Sequence, residues 1–284
     1  MQVCYLVGYP VGHSLSAVMH NAAFREMGLD LRYELRPVRP EALGAFAASA
    51  LRASGIRGAN VTIPHKVSIL RYLDEVEAVA RRISAVNTIV NDGGRLRGYN
   101  TDGPAAMRAL EETYGDLLGA KAVIVGAGGA ARAIAHHLSA VAGELVILNR
   151  TPSRASDLAE SLVRHLEYHA AVSASGLGRE SLREALEDAD ILINATPLGM
   201  SPNTERTPVD GSLLRPGLLV FDTVYNPLKT RLLREAEAAG AGTLPGVRML
   251  VYQGAAAFRL WTGREPPEDL MMRAVLEALG GGRA

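Results

Sequence analysis

Hydrophobic positions in the first hundred residues alternate between two spacings. Short apolar runs such as "VCYLVG", "LRYELRPV" and "GANVTI" are typical of strands, whereas "SAVMHNAAFREMGL" and "EALGAFAASALRASG" place apolar residues at helical spacing. This alternation predicts parallel strands joined by crossover helices. The stretch "HKVSILRYLDEVEAVARRIS" predicts one or two further helices, and "VNTIVNDGGRLRGYNTDG" predicts a β-hairpin that turns on Asp92-Gly93-Gly94.

The pattern changes after Asp102. "PAAMRALEETYG" is helical, and "AKAVIVGAGGAARAIAHHLSAVAG" predicts a buried strand, a glycine turn and a long helix. The apolar runs "ELVILNR", "EYHAAVS", "ADILINAT" and "GLLVFDTVY" follow at intervals that leave room for helices. The sequence therefore predicts an α/β protein with a second, doubly wound sheet. "GVRMLVYQGAAAFRLWTG" and "PEDLMMRAVLEALGGG" predict two C-terminal helices.

Composition narrows the class of protein. A chain of 284 residues, 48% hydrophobic and 21% charged, is long enough for two globular domains. Its formal net charge of +0 argues against a nucleic-acid partner. The single cysteine, Cys4, excludes an intrachain disulfide and a multi-cysteine zinc site. With no basic leader in "MQVCYLVGYP" and no apolar run of membrane-spanning length, we expect no membrane partner and a cytoplasmic location.

The sharpest local motif is "VIVGAGGAARA", which places Gly126, Gly128 and Ala131 in a G-x-G-x-x-A pattern. The first glycine allows a tight turn, the second lets backbone N–H groups approach a pyrophosphate, and the small third residue lets helix and strand pack closely. A tight turn in a glycine-rich chain would give the same letters. Because a predicted strand precedes the motif and a predicted helix follows it, we favour a dinucleotide-binding site.

The end of the next strand, "NRTPSR", indicates which dinucleotide binds. An NAD site commonly has a carboxylate here to hold the ribose 2′-hydroxyl, but this chain has Asn149, Arg150, Thr151 and Arg154. Two guanidinium groups and a hydroxyl suit a 2′-phosphate instead. Thr151 followed by Pro152 also fits the N-cap and first residue of a helix, and the two roles are compatible. We predict NADP as the cofactor.

Reduction of a ketone by this cofactor also requires a proton donor. Lys66 is one of only three lysines, with Lys121 and Lys229, in a chain with 30 Lys and Arg residues. It follows a strand end, and Pro64 fits the first turn of a helix. The positive end of a helix dipole would favour the neutral amine, which lysine can form and arginine cannot. A surface lysine fits the local pattern equally well.

Short polar side chains cluster near other strand ends. Ser14 and Ser16 precede a helix, for which Ser16 is a candidate N-cap. Asn87 and the run Asn100, Thr101 and Asp102 fit turns. Each alone is explained by local structure. Together with Thr62 and Lys66, however, they are all predicted at carboxyl ends of strands or in adjoining loops, where open α/β sheets bind ligands, and they suit a polyhydroxylated small molecule.

The histidines give no convincing metal site. His65 adjoins Lys66, and His136-His137 fall in the helix after the glycine turn. His165 and His169 have the spacing of a metal pair but lack the glutamate of H-E-x-x-H and straddle a predicted helix-to-strand junction. We therefore predict no metal.

Several motifs in order, "HSLSAVMHNAAF", "GANVTIPHK", "SAVNTIV", "GYNTDG", "VGAGGAARA", "NRTPSR", "NATPLGM", "VYNPLKTRLL" and "GVRMLVYQGAAAFRLWTG", resemble the shikimate dehydrogenase family from about residue 8 to residue 265. The resemblance implies a reversible, NADPH-dependent reduction of 3-dehydroshikimate to shikimate in aromatic amino acid (chorismate) biosynthesis. It also implies a substrate-binding domain of residues 1–103 and 247–284, an NADP-binding Rossmann-like domain of residues 104–246, and a cleft that opens and closes. Monomer and homodimer both remain open.

The resemblance assigns roles residue by residue. Lys66 matches the proton donor and acceptor, and Asp102 matches its partner across the substrate. Ser14 and Ser16 match the grip on the substrate carboxylate, and the other matching substrate positions are Thr62, Asn87, Tyr225 and Gln253. The matching cofactor positions are Gly126, Ala127, Gly128, Gly129, Ala130, Asn149, Arg150, Thr151, Arg154, Thr223 and Gly246. The chain departs from the family at Ala17, commonly Pro, and at Pro104-Ala105, where Ala105 replaces a Gly.

Three alternatives remain. A quinate or dual quinate/shikimate dehydrogenase resembles S-x-T at the carboxylate grip and tends to use NAD, whereas this chain has Ser16 and the arginine pair. A methylene-tetrahydrofolate dehydrogenase lacks the N-T-D-G arrangement. A non-catalytic NADP-binding regulator would be favoured by loss of Lys66 or Asp102, and both are present.

Overall fold

The computed structural model describes residues 1–164 and 170–280. The chain divides into two compact units, Met1–Asp102 with Leu250–Ala284, and Gly103–Met249. The strands are β1 Gln2–Gly8, β2 Leu31–Pro37, β3 Ile56–Val61, β4 Glu75–Val76, β5 Thr88–Asp92, β6 Arg95–Tyr99, β7 Lys121–Val125, β8 Glu144–Asn149, β9 Ala171–Gly176, β10 Ile191–Asn194, β11 Leu219–Asp222 and β12 Gly242–Pro245. The α-helices are α1 Ser16–Glu26, α2 Leu43–Ala48, α3 Ala78–Ile83, α4 Asp102–Tyr114, α5 Gly129–Leu138, α6 Pro152–Val163, α7 Arg179–Leu186, α8 Arg231–Ala238, α9 Val247–Thr262 and α10 Glu268–Gly280.

The first unit is built on a mixed sheet with the strand order β2-β1-β3-β5-β6-β4. β1 pairs in parallel with β2 and β3, and the predicted hairpin of β5 and β6 is confirmed. Because β5 runs antiparallel to β3, its first residue, Thr88, lies opposite Asn60 near the end of β3 and opposite Tyr99 at the end of β6. The end of β3, the start of β5 and the end of β6 therefore meet at one edge of the sheet.

The segment after β3 differs from the prediction of one or two helices. A 3₁₀ turn covers Ser68–Tyr72, the short edge strand β4 follows, and only α3 is α-helical. The physical reason is a competing set of partners. The Asp74 carboxylate accepts the Leu96 N–H at 2.7 Å and the Arg52 guanidinium at 2.6 Å, which holds the chain beside β6.

The second unit has a wholly parallel sheet with the order β12-β11-β10-β7-β8-β9. Every residue of β10 and β11 is buried, as their continuous apolar sequences predict. The predicted doubly wound sheet is confirmed, and β12 is a strand that the sequence pattern did not reveal. Parallel pairing places the carboxyl ends of all these strands at one edge.

No helix in residues 1–164 and 170–280 is long and apolar enough to cross a membrane. The two predicted C-terminal helices are α9 and α10, and from Leu250 onward the chain belongs to the first unit. Trp261 of α9 attaches this C-terminal part of the chain to the sheet of the first unit. Its indole N–H donates to the Ile89 carbonyl oxygen of β5 at 2.9 Å, and the ring is buried.

Candidate active site

Lys66 and Asp102 form an ion pair at the sheet edge of the first unit. Lys66 Nζ lies 2.6 Å from Asp102 Oδ2, and the side chains are only 16% and 5% exposed. Because the pair is withdrawn from water, the attraction between its two charges is screened less than in a surface pair. The structure thus brings together the two residues that the family resemblance assigns to proton transfer.

The backbone around Lys66 is pinned on both sides. The Val86 N–H donates to the Lys66 carbonyl at 2.8 Å, and the His65 N–H donates to the Thr62 carbonyl at 2.8 Å. The buried His65 ring adds a third tie, since its Nε2 lies 2.6 Å from the Val38 carbonyl oxygen and donates to it when protonated. Lys66 therefore projects from a fixed turn.

The sequence-based explanation for a lysine at this position is wrong in one respect. No helix begins at Pro64, and the next helical residue is Ser68, the start of a five-residue 3₁₀ turn. A helix dipole at the Lys66 ammonium is therefore not available. The partner that the structure supplies instead is the Asp102 carboxylate.

Asp102 is the first residue of α4 and is held by two asparagines. Asn87 Nδ2 donates to Asp102 Oδ1 at 2.9 Å, and the Asp102 N–H donates to Asn100 Oδ1 at 3.1 Å. Asn100 is in turn anchored by its donation to the Ala85 carbonyl at 2.9 Å. Both carboxylate oxygens therefore accept a hydrogen bond, one from Asn87 and one from Lys66.

The Asn87 side chain links several residues at this edge through hydrogen bonds. Its Nδ2 donates to Thr101 Oγ1 at 2.8 Å and approaches Gln253 Oε1 at 3.3 Å, while its Oδ1 accepts the Thr101 N–H at 2.8 Å. Asn87 lies in the segment that directly precedes β5. It reaches the same edge because β5 is antiparallel to β3.

Ser14, Ser16 and Thr62 lie in segments that adjoin this edge. Ser14 Oγ donates to Ser16 Oγ at 3.2 Å and accepts the Ser16 N–H at 3.3 Å. The predicted N-cap is wrong, because Ser16 is already inside α1 and the cap position is Leu15. Thr62 directly follows β3, and its N–H donates to the Val7 carbonyl at 2.9 Å.

The glycine motif forms the expected turn between β7 and α5. Gly126 has φ 119°, and a Cβ there would lie 3.0 Å from the Ala195 carbonyl oxygen. Gly128 is the N-cap of α5, and a Cβ on it would meet open space. The turn thus keeps a free approach to the helix N-terminus, which favours an anion.

The end of β8 carries the predicted cations. Arg150, Thr151 and Arg154 are exposed, and Asn149 Nδ2 donates to the Thr151 carbonyl at 2.9 Å. Thr151 and Pro152 occupy the N-cap and first positions of α6, as predicted, but the Thr151 side chain makes no capping bond. Neither guanidinium is paired with a carboxylate among the described residues. A strand end with two such cations and no acid fits a phosphate-bearing ribose.

Asp222, at the end of β11, is a buried residue that the sequence analysis did not single out. Its carboxylate accepts hydrogen bonds from Thr230 Oγ1 at 2.6 Å, Asn194 Nδ2 at 2.9 Å and the Val224 N–H at 3.0 Å. Burial raises its pKa to about 6, against the opposing effect of these donors. The carboxylate organises the loops that follow β10 and β11.

Thr223 and Gly246 lie at the same edge, at the ends of β11 and β12. The Thr223 N–H and hydroxyl both donate to the Asn194 carbonyl, at 3.0 and 2.9 Å. A Cβ on Gly246 would lie 2.4 Å from the Thr223 carbonyl oxygen, so this position requires glycine. Tyr225 belongs to the same loop and is half-buried.

The histidine predictions have separate outcomes. His136 is buried in α5, and His165 and His169 lie outside the described residues. Within the described ranges, no group of three or more His, Cys, Asp or Glu side chains could hold a metal ion.

Three family models match this chain. Residues 6–89 match the shikimate dehydrogenase substrate binding domain, residues 108–205 match the shikimate / quinate 5-dehydrogenase family, and residues 246–276 match the shikimate 5'-dehydrogenase C-terminal domain. A curated relative, the shikimate dehydrogenase (NADP(+)) of Methanothermobacter thermautotrophicus, is 49% identical over 276 residues, which cover 96% of this chain and 95% of the relative.

Solved structures show the same similarity. Shikimate 5-dehydrogenase from Thermus thermophilus, crystallised with NADP(H) and shikimate, superposes with a TM-score of 0.84 at 40% identity, covering 98% of this chain and 100% of the other. Quinate dehydrogenase from Corynebacterium glutamicum, in complex with NAD, gives a TM-score of 0.85 at 33% identity, covering 97% and 99%. With half of its residues shared with a relative over nearly the whole length, the chain belongs to the shikimate dehydrogenase family.

Proposed function

We propose that this chain is an NADP-dependent oxidoreductase that reversibly reduces 3-dehydroshikimate to shikimate, a step of aromatic amino acid biosynthesis. The observation that carries the proposal is the partly buried Lys66–Asp102 pair, 2.6 Å apart, beside the Asn87 amide and the Thr101 hydroxyl. The family of NADP-dependent shikimate dehydrogenases to which the chain belongs supports it.

Lys66 is the proposed proton donor and acceptor. In reduction, 3-dehydroshikimate, NADPH and a proton give shikimate and NADP⁺, and the carbonyl oxygen takes its proton from the Lys66 ammonium. In oxidation, the neutral Lys66 amine removes the proton from the substrate hydroxyl. Asp102 stabilises the ammonium between these steps and accepts a hydrogen bond from substrate.

The substrate is proposed to bind the polar side chains that the family resemblance assigns to it. Ser14 and Ser16 would donate to the substrate carboxylate, because their hydroxyls are neighbours at 3.2 Å. The hydroxyl groups of the substrate ring would form hydrogen bonds with the remaining polar residues, which are Thr62, Asn87, Tyr225 and Gln253. A mixture of amide, hydroxyl and phenol groups supplies both donors and acceptors to a polyhydroxylated ring.

The cofactor is proposed to bind the second unit. The open approach above Gly128 and the exposed, carboxylate-free strand end at Arg150 and Arg154 fit its pyrophosphate and 2′-phosphate. When bound, NADPH supplies the hydride. The residues proposed to hold it are Gly126, Ala127, Gly128, Gly129, Ala130, Asn149, Arg150, Thr151, Arg154, Thr223 and Gly246.

Quinate is the alternative substrate, and a quinate dehydrogenase is among the similar structures. Ser16 at the second position of the carboxylate grip, together with Arg150 and Arg154, favours shikimate and NADP. A non-catalytic NADP-binding regulator is disfavoured because such a protein has no need of the Lys66–Asp102 pair.

The test is the rate of nucleotide reduction by the purified full chain, with shikimate or quinate and with NADP⁺ or NAD⁺. We expect the largest kcat/KM for shikimate with NADP⁺. A larger value for quinate with NAD⁺ would support the alternative, and no turnover of either substrate would overturn the proposal.

A cytoplasmic location and a monomeric or homodimeric state complete the proposal. The chain's single cysteine, Cys4, is buried in β1 and cannot form an intrachain disulfide, which fits a reducing compartment. Cell fractionation tests the location, and sedimentation of the purified chain tests the oligomeric state.

A further inference from the structure

A line of side-chain hydrogen bonds runs through the first unit from β2 to Asp102. Tyr33 Oη donates to Asn60 Oδ1 at 2.8 Å, and Asn60 Nδ2 donates to Thr88 Oγ1 at 3.0 Å. Thr88 Oγ1 donates to Asn87 Oδ1 at 3.1 Å, and Asn87 Nδ2 donates to Asp102 Oδ1 at 2.9 Å. Four successive bonds thus join a core tyrosine to the carboxylate that faces Lys66.

The direction of each bond is fixed by a neighbouring backbone group. Asn60 Nδ2 faces the Asn87 carbonyl at 3.2 Å, which can only accept, so Asn60 Oδ1 faces Tyr33 and the phenol must donate. Asn87 Oδ1 faces the Thr101 N–H at 2.8 Å, which can only donate, so Asn87 Nδ2 points to Asp102.

Thr88 joins the two oriented amides. Its oxygen accepts from Asn60, and its single proton goes to Asn87 Oδ1 at 3.1 Å, the nearer of two acceptors, since Thr101 Oγ1 lies at 3.3 Å. Thr101 Oγ1 directs its own proton to the Gln253 carbonyl at 3.0 Å. Replacing the Thr88 hydroxyl with a methyl group would therefore leave Asn87 Oδ1 without one of its donors.

The Tyr33 end of this line is held in place by two residues of α1. Asn21 of α1 binds both the N–H and the carbonyl of Tyr33, at 2.8 and 2.9 Å, and the Tyr33 ring stacks on His20 with centroids 4.5 Å apart. In the sheet, Asn60 and Thr88 are directly paired. All the linking side chains are buried, so water does not replace a lost bond at low cost.

We propose that Thr88, backed by Asn60 and Tyr33, is a positioning residue that fixes the rotamer of Asn87 and thereby holds the Asp102 carboxylate against Lys66. This role rests on the proposed function, because Asp102 matters only if it serves the reaction. Thr88 itself contacts neither Lys66 nor Asp102 in the hydrogen-bond network described above.

The first experiment compares Thr88→Val with Thr88→Ser. Valine keeps the shape and removes the donor, and we expect kcat for shikimate oxidation to fall about five-fold, as for the loss of one neutral hydrogen bond, with KM for NADP⁺ unchanged. Serine keeps the hydroxyl and should retain more than half of the kcat. The matched control is Thr113→Val in α4. Among the described residues the Thr113 hydroxyl bonds only to the Ala109 carbonyl of its own helix, at 2.9 Å, and its loss should leave kcat unchanged.

A double-mutant cycle separates positioning from a general effect on the fold. If Thr88 acts through Asn87, Thr88→Val should cost little or nothing in an Asn87→Ala background. An equal five-fold loss in both backgrounds, or no loss in Thr88→Val alone, would overturn the proposal.

Tyr33→Phe provides a second variant in case Thr88→Val does not fold. It removes only the terminal hydroxyl, and we expect kcat to fall about two-fold, near the lower end for one hydrogen bond. A lower unfolding temperature with unchanged kcat would show that the line serves stability alone and overturn the proposal. Wild-type turnover of shikimate, measured alongside, tests the proposed function separately.

Discussion

Asp102 Oδ2 lies 2.6 Å from Lys66 Nζ, and Asp102 Oδ1 lies 2.9 Å from the Asn87 amide. One carboxylate oxygen is therefore committed to the proposed proton carrier and the other to a side chain that is itself held by Thr88 and Thr101. The Lys66 ammonium is thereby connected to the Asn87 side chain through a single carboxylate.

The arginines at the end of β8 should decide cofactor preference. With Arg150→Ala and Arg154→Ala together, we expect kcat/KM for NADP⁺ to fall at least ten-fold for each charge-assisted hydrogen bond to the 2′-phosphate that is lost. Because NAD⁺ has no 2′-phosphate, its kcat/KM should change little. Arg164→Ala is the control, because Arg164 is an exposed arginine that directly follows α6 and pairs with Glu160. An unchanged NADP⁺/NAD⁺ ratio in the double variant would show that the 2′-phosphate binds elsewhere.

Asp222 should make the protein less stable as pH rises. Its pKa is raised from 3.8 to about 6, so the folded state keeps a proton that the unfolded chain releases. This contribution is fully present below pH 3.8 and is lost as the pH rises through about 6. Relative to Asp222→Asn, the wild-type free energy of unfolding should fall by about 2–3 kcal/mol between pH 4 and pH 8.

Chemical denaturation of both proteins across this pH range measures the difference directly. Asparagine can keep the contacts, with its oxygen toward Asn194 and Val224 and its amide toward Thr230. A difference that does not vary with pH would contradict the assignment of a raised pKa to Asp222.

His20 should make the protein less stable as the pH falls. It is fully buried, and burial lowers its pKa from 6.5 to about 3 against the opposing effect of the neighbouring Asn60 side chain. Since the unfolded chain takes up a proton below pH 6.5 and the folded chain does not, stability is lost as the pH falls from 6.5 towards 3.

The variant His20→Phe keeps an aromatic ring beside Tyr33 and removes the titrating group. As the pH falls below the unfolded-state pKa, the wild type should lose stability relative to His20→Phe. The difference between their free energies of unfolding should grow by about 1.4 kcal/mol per pH unit. Unfolding curves at pH 7, 6 and 5 are sufficient, and parallel losses in the two proteins would show that His20 is not the cause.

Much of this organisation could be predicted from the sequence because it depends on local patterns. The apolar runs predicted β7, β8, β10 and β11, and the glycine motif predicted the turn at Gly126. The edge strand β4 was missed because it is only two residues long and is held by the pairing of Asp74 with distant Arg52 and Leu96.

The buried polar residues were missed for the same reason. Asn60, Thr88 and Asp222 lie in or at the end of apolar strands, and their sequence neighbours do not reveal the partners that satisfy them. Asp222 depends on Asn194, which comes from another strand, and on Thr230, beyond the loop. A polar residue within a buried strand is a usable signal, since such a group must find a partner.

The most direct test of the central claim is the effect of Lys66→Ala on shikimate oxidation. Lys229→Ala is the matched control, because that lysine is exposed and pairs with Glu237 on the surface. We predict that kcat falls about 10²–10⁴-fold in Lys66→Ala, as for the loss of a general acid–base group, while the Kd for shikimate measured by titration changes little. A wild-type kcat with only a weakened Kd would contradict the account, since Lys66 would then bind substrate without transferring its proton.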